Sequence, residues 1–441
     1  MIANSEHMKI SVIGCGKLGA PLVACLANSG HEVVGIDLDE KLIENLSNLT
    51  VPWNEPDLQD MLKENQERIS FSTKYEGNIS NSSVSFIIVP TPSEPDGSFS
   101  NRFVLNAIER IGSELKSNAN SMHLIVIVST VMPGSTSGII KSTLADAVGG
   151  ASEGIKICYS PEFIALGSVI KNMQYPDIIL IGEDEPGSGT LLESISRSIA
   201  KNNPRVLTLT TREAEVTKIA INSYVTTKIS FSNQISEICE KTEGASAENV
   251  LTAIGSDSRI GNSYLKAGTA FGGPCFPRDN RAFAAYSSSL GLVSDLALAT
   301  DEINSRQAER LLVSIKKILG NKRKICVVGL SYKPDTDVTE ESPAVKFLLM
   351  ARKEGFQVFA IDSNVRIIPE LEDLQIFTME TLSEVPNEID AYILFVPSRE
   401  YIEVPNLNSR NKIIIDLWGS WDKFKANYGE NYFRLGNYDG R

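Results

Sequence analysis

Lys9-Ile10-Ser11-Val12-Ile13-Gly14-Cys15-Gly16-Lys17-Leu18-Gly19 decides how the first part of the chain folds. A short β-rich run passes straight into glycines spaced G-x-G-x-x-G. An apolar stretch at helical spacing continues to Ala27, and a second strand, Glu32–Ile36, ends at Asp37, 18 residues beyond Gly19. Strand, glycine turn, helix, strand and acid in this order form the context in which the spacing binds a dinucleotide. Gly14 makes the tight turn, Gly16 lets a pyrophosphate touch backbone, Gly19 allows close helix packing, and the helix N-terminus attracts phosphate. Asp37 is placed to bond a ribose diol and to repel a 2′-phosphate, which selects NAD over NADP.

Working outward, buried strands are expected at Val84–Val89, Leu124–Val128, Ile155–Cys158 and Ile178–Ile181, separated by helical patterns as in a doubly wound parallel sheet. The loops at their carboxyl ends, Pro90-Thr91-Pro92, Ser129 to Ser135 and Ser160-Pro161-Glu162-Phe163, line the expected site. Turn chemistry explains their Pro, Gly and Ser; it does not explain Thr130 or Glu162.

From Arg212 to about Thr242, Val216, Ile219, Ala220, Tyr224, Ile229, Ile235 and Ile238 recur at helical spacing without Gly or Pro, so one long linking helix is expected. Lys218 and Asn222, four apart, share a face of it. Further on, Gly268-Thr269-Ala270-Phe271-Gly272-Gly273-Pro274-Cys275-Phe276-Pro277-Arg278-Asp279 sets a thiol among glycines, a cation and a carboxylate. Backbone can approach a ligand closely there, and the neighbours suit a nucleophile. A lone cysteine in a Gly/Pro turn is equally often a buried small hydrophobe. Its lead-in, Arg259-Ile260-Gly261 through Tyr264 and Lys266, adds cations and an aromatic ring.

A second α/β unit opens at Lys324–Gly329, continues through Leu330-Ser331-Tyr332-Lys333, and reaches a strand ending in acid at Phe359-Ala360-Ile361-Asp362. It echoes Lys9–Asp37 without the G-x-G-x-x-G. Strands at Ala391–Val396 and Lys412–Leu417 complete a smaller parallel sheet. The expected architecture is therefore α/β: two Rossmann-like doubly wound parallel-sheet domains, 1–202 and 309–441, joined by a helical domain, 203–308, with a long central helix.

Composition bounds the rest. The 441 residues are 42% hydrophobic, enough for two or three cored domains, and the net charge of −13 argues against non-specific nucleic-acid binding. No apolar run approaches the roughly 18 residues of a membrane span, so a cytoplasmic protein is expected. Met1–His7 precede a second methionine, Met8, and read as a dispensable leader. Six scattered cysteines without a CxxC pair suggest reduced thiols and no metal site. His7, His31 and His123 fall outside ligand or triad spacing, which leaves acid–base work to Lys, Asp, Glu or water.

Together these residues resemble the nucleotide-sugar 6-dehydrogenases, most of all those acting on UDP-glucose. The resemblance runs over nearly the whole chain and is carried by the G-x-G-x-x-G unit, Ser129-Thr130-Val131, Ser160-Pro161-Glu162-Phe163, Lys218 with Asn222, Arg259-Ile260-Gly261, the cysteine loop and Gly329-Leu330-Ser331-Tyr332-Lys333. It implies oxidation of a sugar primary alcohol to a carboxylate with two NAD, through a thioester on Cys275. Lys218 and Asn222 would support the oxyanion, while Asp279, Glu162 and Thr130 would handle protons and the hydrolytic water. Gly14, Gly16, Lys17, Leu18, Gly19, Asp37, Thr91, Thr130 and Arg278 would hold NAD. Glu162, Phe163, Lys218, Asn222, Tyr264, Lys266, Phe271, Gly272, Tyr332 and Lys333 would hold the nucleotide sugar. Arg259 would reach a neighbouring subunit's site, which implies a homodimer or higher homo-oligomer.

The chain departs from the family's usual residues in five places: Leu166 for glutamate, Pro274 for serine, Arg278 for lysine, Glu340 for arginine, and Asp57 for glycine. Arg259-Ile260-Gly261 favours UDP-glucose, whereas relatives acting on UDP-N-acetylhexosamines commonly carry histidine where this chain has Pro274. GDP-mannose is a further alternative. Leu166 and Glu340 motivate a different reading, a catalytically impaired nucleotide-sugar binding protein.

Overall fold

The computed structural model describes residues 7–116, 122–150, 154–372, 374–378, 381–407 and 411–438, so Met1–Glu6 of the expected leader lie outside the described residues. The chain divides into two compact units, Met1–Ile219 and Ala220–Arg441.

The first unit is built on an eight-stranded sheet. Its strands are β1 (Lys9–Ile13), β2 (Glu32–Ile36), β3 (Ile69–Ser72), β4 (Val84–Ile87), β5 (His123–Ile127), β6 (Ile155–Tyr159), β7 (Ile178–Glu183) and β8 (Arg205–Thr210), in the order β3-β2-β1-β4-β5-β6-β7-β8. Strands β1 to β6 are parallel; β7 joins β6 antiparallel at Cys158 opposite Glu183, and β8 runs parallel to β7. Period-two alternation explains why helices cover both faces. Val12, Phe86 and Val126 feed one apolar cluster while Ile13, Ile87 and Ile127 feed the other. His123 is core as well: it bonds Ser85 Oγ at 2.8 Å, and burial pushes its pKa down to about 4, so it is neutral at ordinary pH.

The second unit combines helices with a six-stranded parallel sheet. Its strands are β9 (Lys324–Val328), β10 (Gln357–Ile361), β11 (Ile376–Phe377), β12 (Ala391–Leu394), β13 (Ile413–Asp416) and β14 (Tyr432–Arg434), in the order β11-β10-β9-β12-β13-β14. The six-strand core of the first sheet has the same order, so the echo seen in the sequence is an echo of topology. It extends to single bonds. Gly14 N–H donates to the Ile36 carbonyl and Cys15 N–H to Asp37 Oδ2, both at 2.8 Å; Gly329 N–H donates to the Ile361 carbonyl at 2.8 Å and Leu330 N–H to Asp362 Oδ2 at 2.7 Å.

The long helix runs Thr211–Cys239, and the division between the units falls within it. Helices Ala247–Ser256, Phe276–Ser289 and Asp295–Leu319 precede the second sheet. Among the described residues no helix is long and apolar enough to cross a membrane.

Candidate active site

In the first unit the three glycines divide their work by space. A Cβ on Gly14, whose φ is +92°, would run into the Ile88 carbonyl, and one on Gly19 would run into the Gly14 carbonyl; one on Gly16 would meet nothing within 4 Å. The outer glycines therefore close the turn, and the middle one faces open space. Leu18 heads helix Gly19–Asn28 without any side-chain cap, which leaves the positive end of the helix dipole for an anion. Asp37, half-exposed at the end of β2, accepts from Cys15 and Asp39 N–H through its two oxygens. This donor set fits a dinucleotide. Asp362, its counterpart, is wholly buried and also accepts from Asn364 and Val365 N–H at 2.8 Å, so it is committed to its own turn.

The loops after β4 and β5 are tied together. Thr91, buried, donates its hydroxyl to the Thr130 carbonyl at 2.7 Å. Ser129 Oγ accepts from Val89 N–H at 2.9 Å and donates to its carbonyl at 2.8 Å. Glu215 on the long helix, buried, accepts from Gly134 and Thr136 N–H, anchoring the same loop; burial pushes its carboxyl up while these bonds pull it down. Sequence reading missed Glu215, because nothing in its spacing distinguishes it from a solvated helix residue.

Lys218 is buried, not solvated. Its Nζ donates to the Glu162 carbonyl at 2.7 Å and lies 4.8 Å from the centre of the Phe163 ring, so three candidate residues meet. Burial pushes the Glu162 carboxyl up to about 7, with Lys218 drawing it down. A carboxyl poised there changes protonation near neutrality, as acid–base work requires.

In the second unit, Cys275 is the exposed one of the six cysteines; the other five are buried. It heads helix Phe276–Ser289, where the helix dipole favours a thiolate. One turn on, Asp279 is buried and accepts from Asn222 Nδ2 at 2.6 Å, with Arg278 Nε 3.5 Å from its other oxygen. The preceding glycines pack against the next segment. Gly273, φ +82°, lies under the Tyr332 ring, and its N–H donates to the Glu340 carbonyl at 3.0 Å. A Cβ on Gly272 would strike the Glu341 carbonyl. Burial raises the Tyr332 phenol and the neighbouring Cys275 adds to the rise. Phe271 and Tyr264 each meet Phe276 edge-on, at 6.5 and 6.2 Å.

Arg259 and Lys266 stand apart from the cysteine loop's contacts. Arg259 is exposed and forks onto Asp257, with Nε to Oδ1 at 3.0 Å and Nη2 to Oδ2 at 2.6 Å. Lys266 is exposed, and Lys333 lies 5.9 Å from the Tyr332 ring centre. Of the departures, Leu166 packs on the first core, Glu340 is exposed, and Asp57 takes φ +66°, the left-handed region that favours glycine.

Three family models match the chain in order: the NAD binding domain of the UDP-glucose/GDP-mannose dehydrogenase family over residues 8–200, its central domain over 212–306, and its UDP binding domain over 326–423. The chain belongs to the UDP-glucose/GDP-mannose dehydrogenase family. A UDP-glucose 6-dehydrogenase of Haloferax volcanii is 33% identical over 360 residues, covering 80% of this chain and 83% of that protein. A GDP-mannose 6-dehydrogenase of Pseudomonas aeruginosa is 28% identical over 428 residues, 93% and 97% of the two chains. The solved UDP-glucose dehydrogenase of Pyrobaculum islandicum superposes with a TM-score of 0.85 at 29% identity, over 95% and 96% of the two chains. The protein is thus an NAD-dependent member of a nucleotide-sugar dehydrogenase family, with the G-x-G-x-x-G turn inside the NAD-binding domain and β10 to β13 inside the UDP-binding region.

Proposed function

We propose that the protein oxidises the C6 alcohol of UDP-glucose to the carboxylate of UDP-glucuronate, in two hydride transfers, with Cys275 as nucleophile. The observation that carries this reading is the exposed thiol at a helix N-terminus, one turn from the buried Asn222–Asp279 pair. NAD, when bound, accepts the hydride that leaves C6. Gly14, Gly16, Lys17, Leu18, Gly19 and Asp37 would hold it, with Thr91, Thr130 and Arg278.

Each of the two hydrides would go to its own NAD, so the steps balance without a further oxidant. Loss of one hydride and one proton from the alcohol gives the aldehyde, and Cys275 Sγ adds to it, forming a C–S bond. Loss of a second hydride from that adduct gives the thioester. Water adds to the thioester carbon, the C–S bond breaks, the thiolate is restored and the acid leaves. Covalent capture holds the aldehyde until it is oxidised again. Lys218 and Asn222 supply charge and a hydrogen bond to the developing oxyanion. Glu162, with a carboxyl near 7, and Asp279 would exchange protons with the alcohol and the water, and Thr130 would help to hold the hydrolytic water. Phe163, Tyr264, Lys266, Phe271, Gly272, Tyr332 and Lys333 would bind the sugar nucleotide.

UDP-glucose is favoured by Arg259-Ile260-Gly261, and the lack of histidine at position 274 counts against the UDP-N-acetylhexosamines. The coverage of the GDP-mannose relative supports GDP-mannose as the second reading. A homodimer is supported by exposed apolar residues one heptad apart on the long helix, Tyr224 at 68%, Phe231 at 43% and Ile238 at 56%, and by Arg259, whose exposed fork suits a site on a second subunit. Following NADH formation with UDP-glucose, GDP-mannose and UDP-N-acetylhexosamines tests the reading. Two NADH per UDP-glucose are expected, and binding of UDP-glucose without turnover would remove it.

A further inference from the structure

The loop that carries Cys275 is held by side chains that no step of this reaction uses. Asn233, on the long helix, accepts the Gly268 N–H on Oδ1 at 3.0 Å and donates Nδ2 to the Thr269 carbonyl at 3.2 Å. Asn304, on helix Asp295–Leu319, does the same for a single residue: Oδ1 accepts from Phe271 N–H at 2.8 Å, and Nδ2 donates to the Phe271 carbonyl at 3.0 Å. Gln307 Nε2 donates to the Gly268 carbonyl at 2.8 Å. The three residues are 1%, 7% and 1% exposed, so an apolar replacement would leave loop N–H and carbonyl groups buried without partners.

On the far side of the sulfur the pattern continues. Asn280, also buried, accepts from Ser223 Oγ and donates to the Ala297 carbonyl, both at 2.9 Å, fixing helix Phe276–Ser289 to the same two helices. A glycine-rich segment has too much backbone freedom to fix a side chain by itself. Nor can it gain apolar anchors at two positions: a Cβ on Gly268 would enter the Trp418 ring, and one on Gly272 the Glu341 carbonyl. Amide side chains, each offering a donor and an acceptor as a peptide does, take the place of a strand partner.

We propose that Asn233, Asn304 and Gln307 are positioning residues for Cys275: they act on the thiol only through the backbone from Gly268 to Phe271, and hold it at the head of its helix. This rests on Cys275 being the nucleophile. The test compares full-length wild type with Asn304→Leu, Gln307→Leu and Asn304→Asp. Three readouts are taken: thermal melting, iodoacetamide alkylation of Cys275 across pH mapped by peptide mass, and kcat and KM with UDP-glucose and NAD. For folded Asn304→Leu, alkylation at neutral pH slows about threefold or more and its pH profile moves upward. In the same variant kcat falls about tenfold or more, while KM for NAD stays within about twofold. Asn304→Asp, which keeps the acceptor for Phe271 N–H, recovers part of both. Should Asn304→Leu not fold, Gln307→Leu and Asn304→Asp carry the same comparison. A folded variant with wild-type alkylation and wild-type kcat overturns the proposal. Alkylation needs no substrate, so a shifted profile in an enzyme inert to every nucleotide sugar upholds the positioning role and removes the reading of the reaction.

Discussion

Asn222 Nδ2 donates to Asp279 Oδ2 at 2.6 Å, and both side chains are buried. Arg278 Nε lies 3.5 Å from the other oxygen, so the Asn222 amide is the close donor whose loss this buried carboxylate would feel. Replacing Asn222 by Leu is expected to cost about 1–3 kcal/mol of stability, because the carboxylate keeps its desolvation and loses its donor. Urea denaturation measures this. Asp279→Asn keeps the size and removes the charge, and kcat should fall by about 100-fold or more if Asp279 moves a proton in the reaction.

Glu162 makes stability depend on pH in a known direction. Its folded pKa is raised from 4.5 to about 7, so between these values the folded protein binds the extra proton and stability falls as pH rises. The contribution is intact below about 4.5 and is lost through about 7. Unfolding free energies across that window should decline in wild type and flatten in Glu162→Gln. If Glu162 is the base for hydrolysis, kcat rises through the same region and loses that limb in the variant.

The glycines of the first turn separate folding from binding. Gly14→Ala and Gly19→Ala place a Cβ inside a backbone carbonyl and should unfold or severely destabilise the first unit. Gly16→Ala meets open space, so stability should stay within about 0.5 kcal/mol while NAD affinity drops, as calorimetry would measure.

Asp57 heads helix Leu58–Glu64 at φ +66° with no side-chain cap bond, so its carboxylate offers nothing to offset the left-handed backbone. Asp57→Gly should stabilise the protein by about 1 kcal/mol, visible as a raised melting midpoint.

Much of this was legible in the sequence, for physical reasons that differ by element. The buried strands β1, β4, β5 and β9 are mostly apolar runs, their buried Ser11, Ser85 and His123 bonded to one another, as suits a parallel sheet covered on both faces. Strand β8 was not legible, since Arg205–Thr210 lies on a sheet edge with Arg205, Thr208 and Thr210 exposed and none of its residues buried, and β11 is two residues long. The reversal at β7 leaves no mark on composition. In the site, Cys275, Lys218 and Asn222 stood out through the resemblance, since by themselves a lone cysteine in a Gly/Pro turn is as often a buried small hydrophobe and a helix lysine is usually solvated. Asn233, Asn304 and Gln307 did not. Their partners lie 33 to 39 residues away, and a helix amide reads as solvated until the chain is folded around it.

The apolar heptad on the long helix gives the proposed homodimer its own test. Phe231→Glu together with Ile238→Glu should convert a dimer to monomer by sedimentation, and activity should fall with it if Arg259 completes a second subunit's site.

The thioester is tested most directly by intact mass and peptide mapping of Cys275→Ser after incubation with UDP-glucose and NAD. The account predicts that release of the acid stops, with a sugar-derived adduct on the peptide containing position 275 or a stalled aldehyde stage. Full conversion to the acid at the wild-type rate, with no adduct, would contradict it.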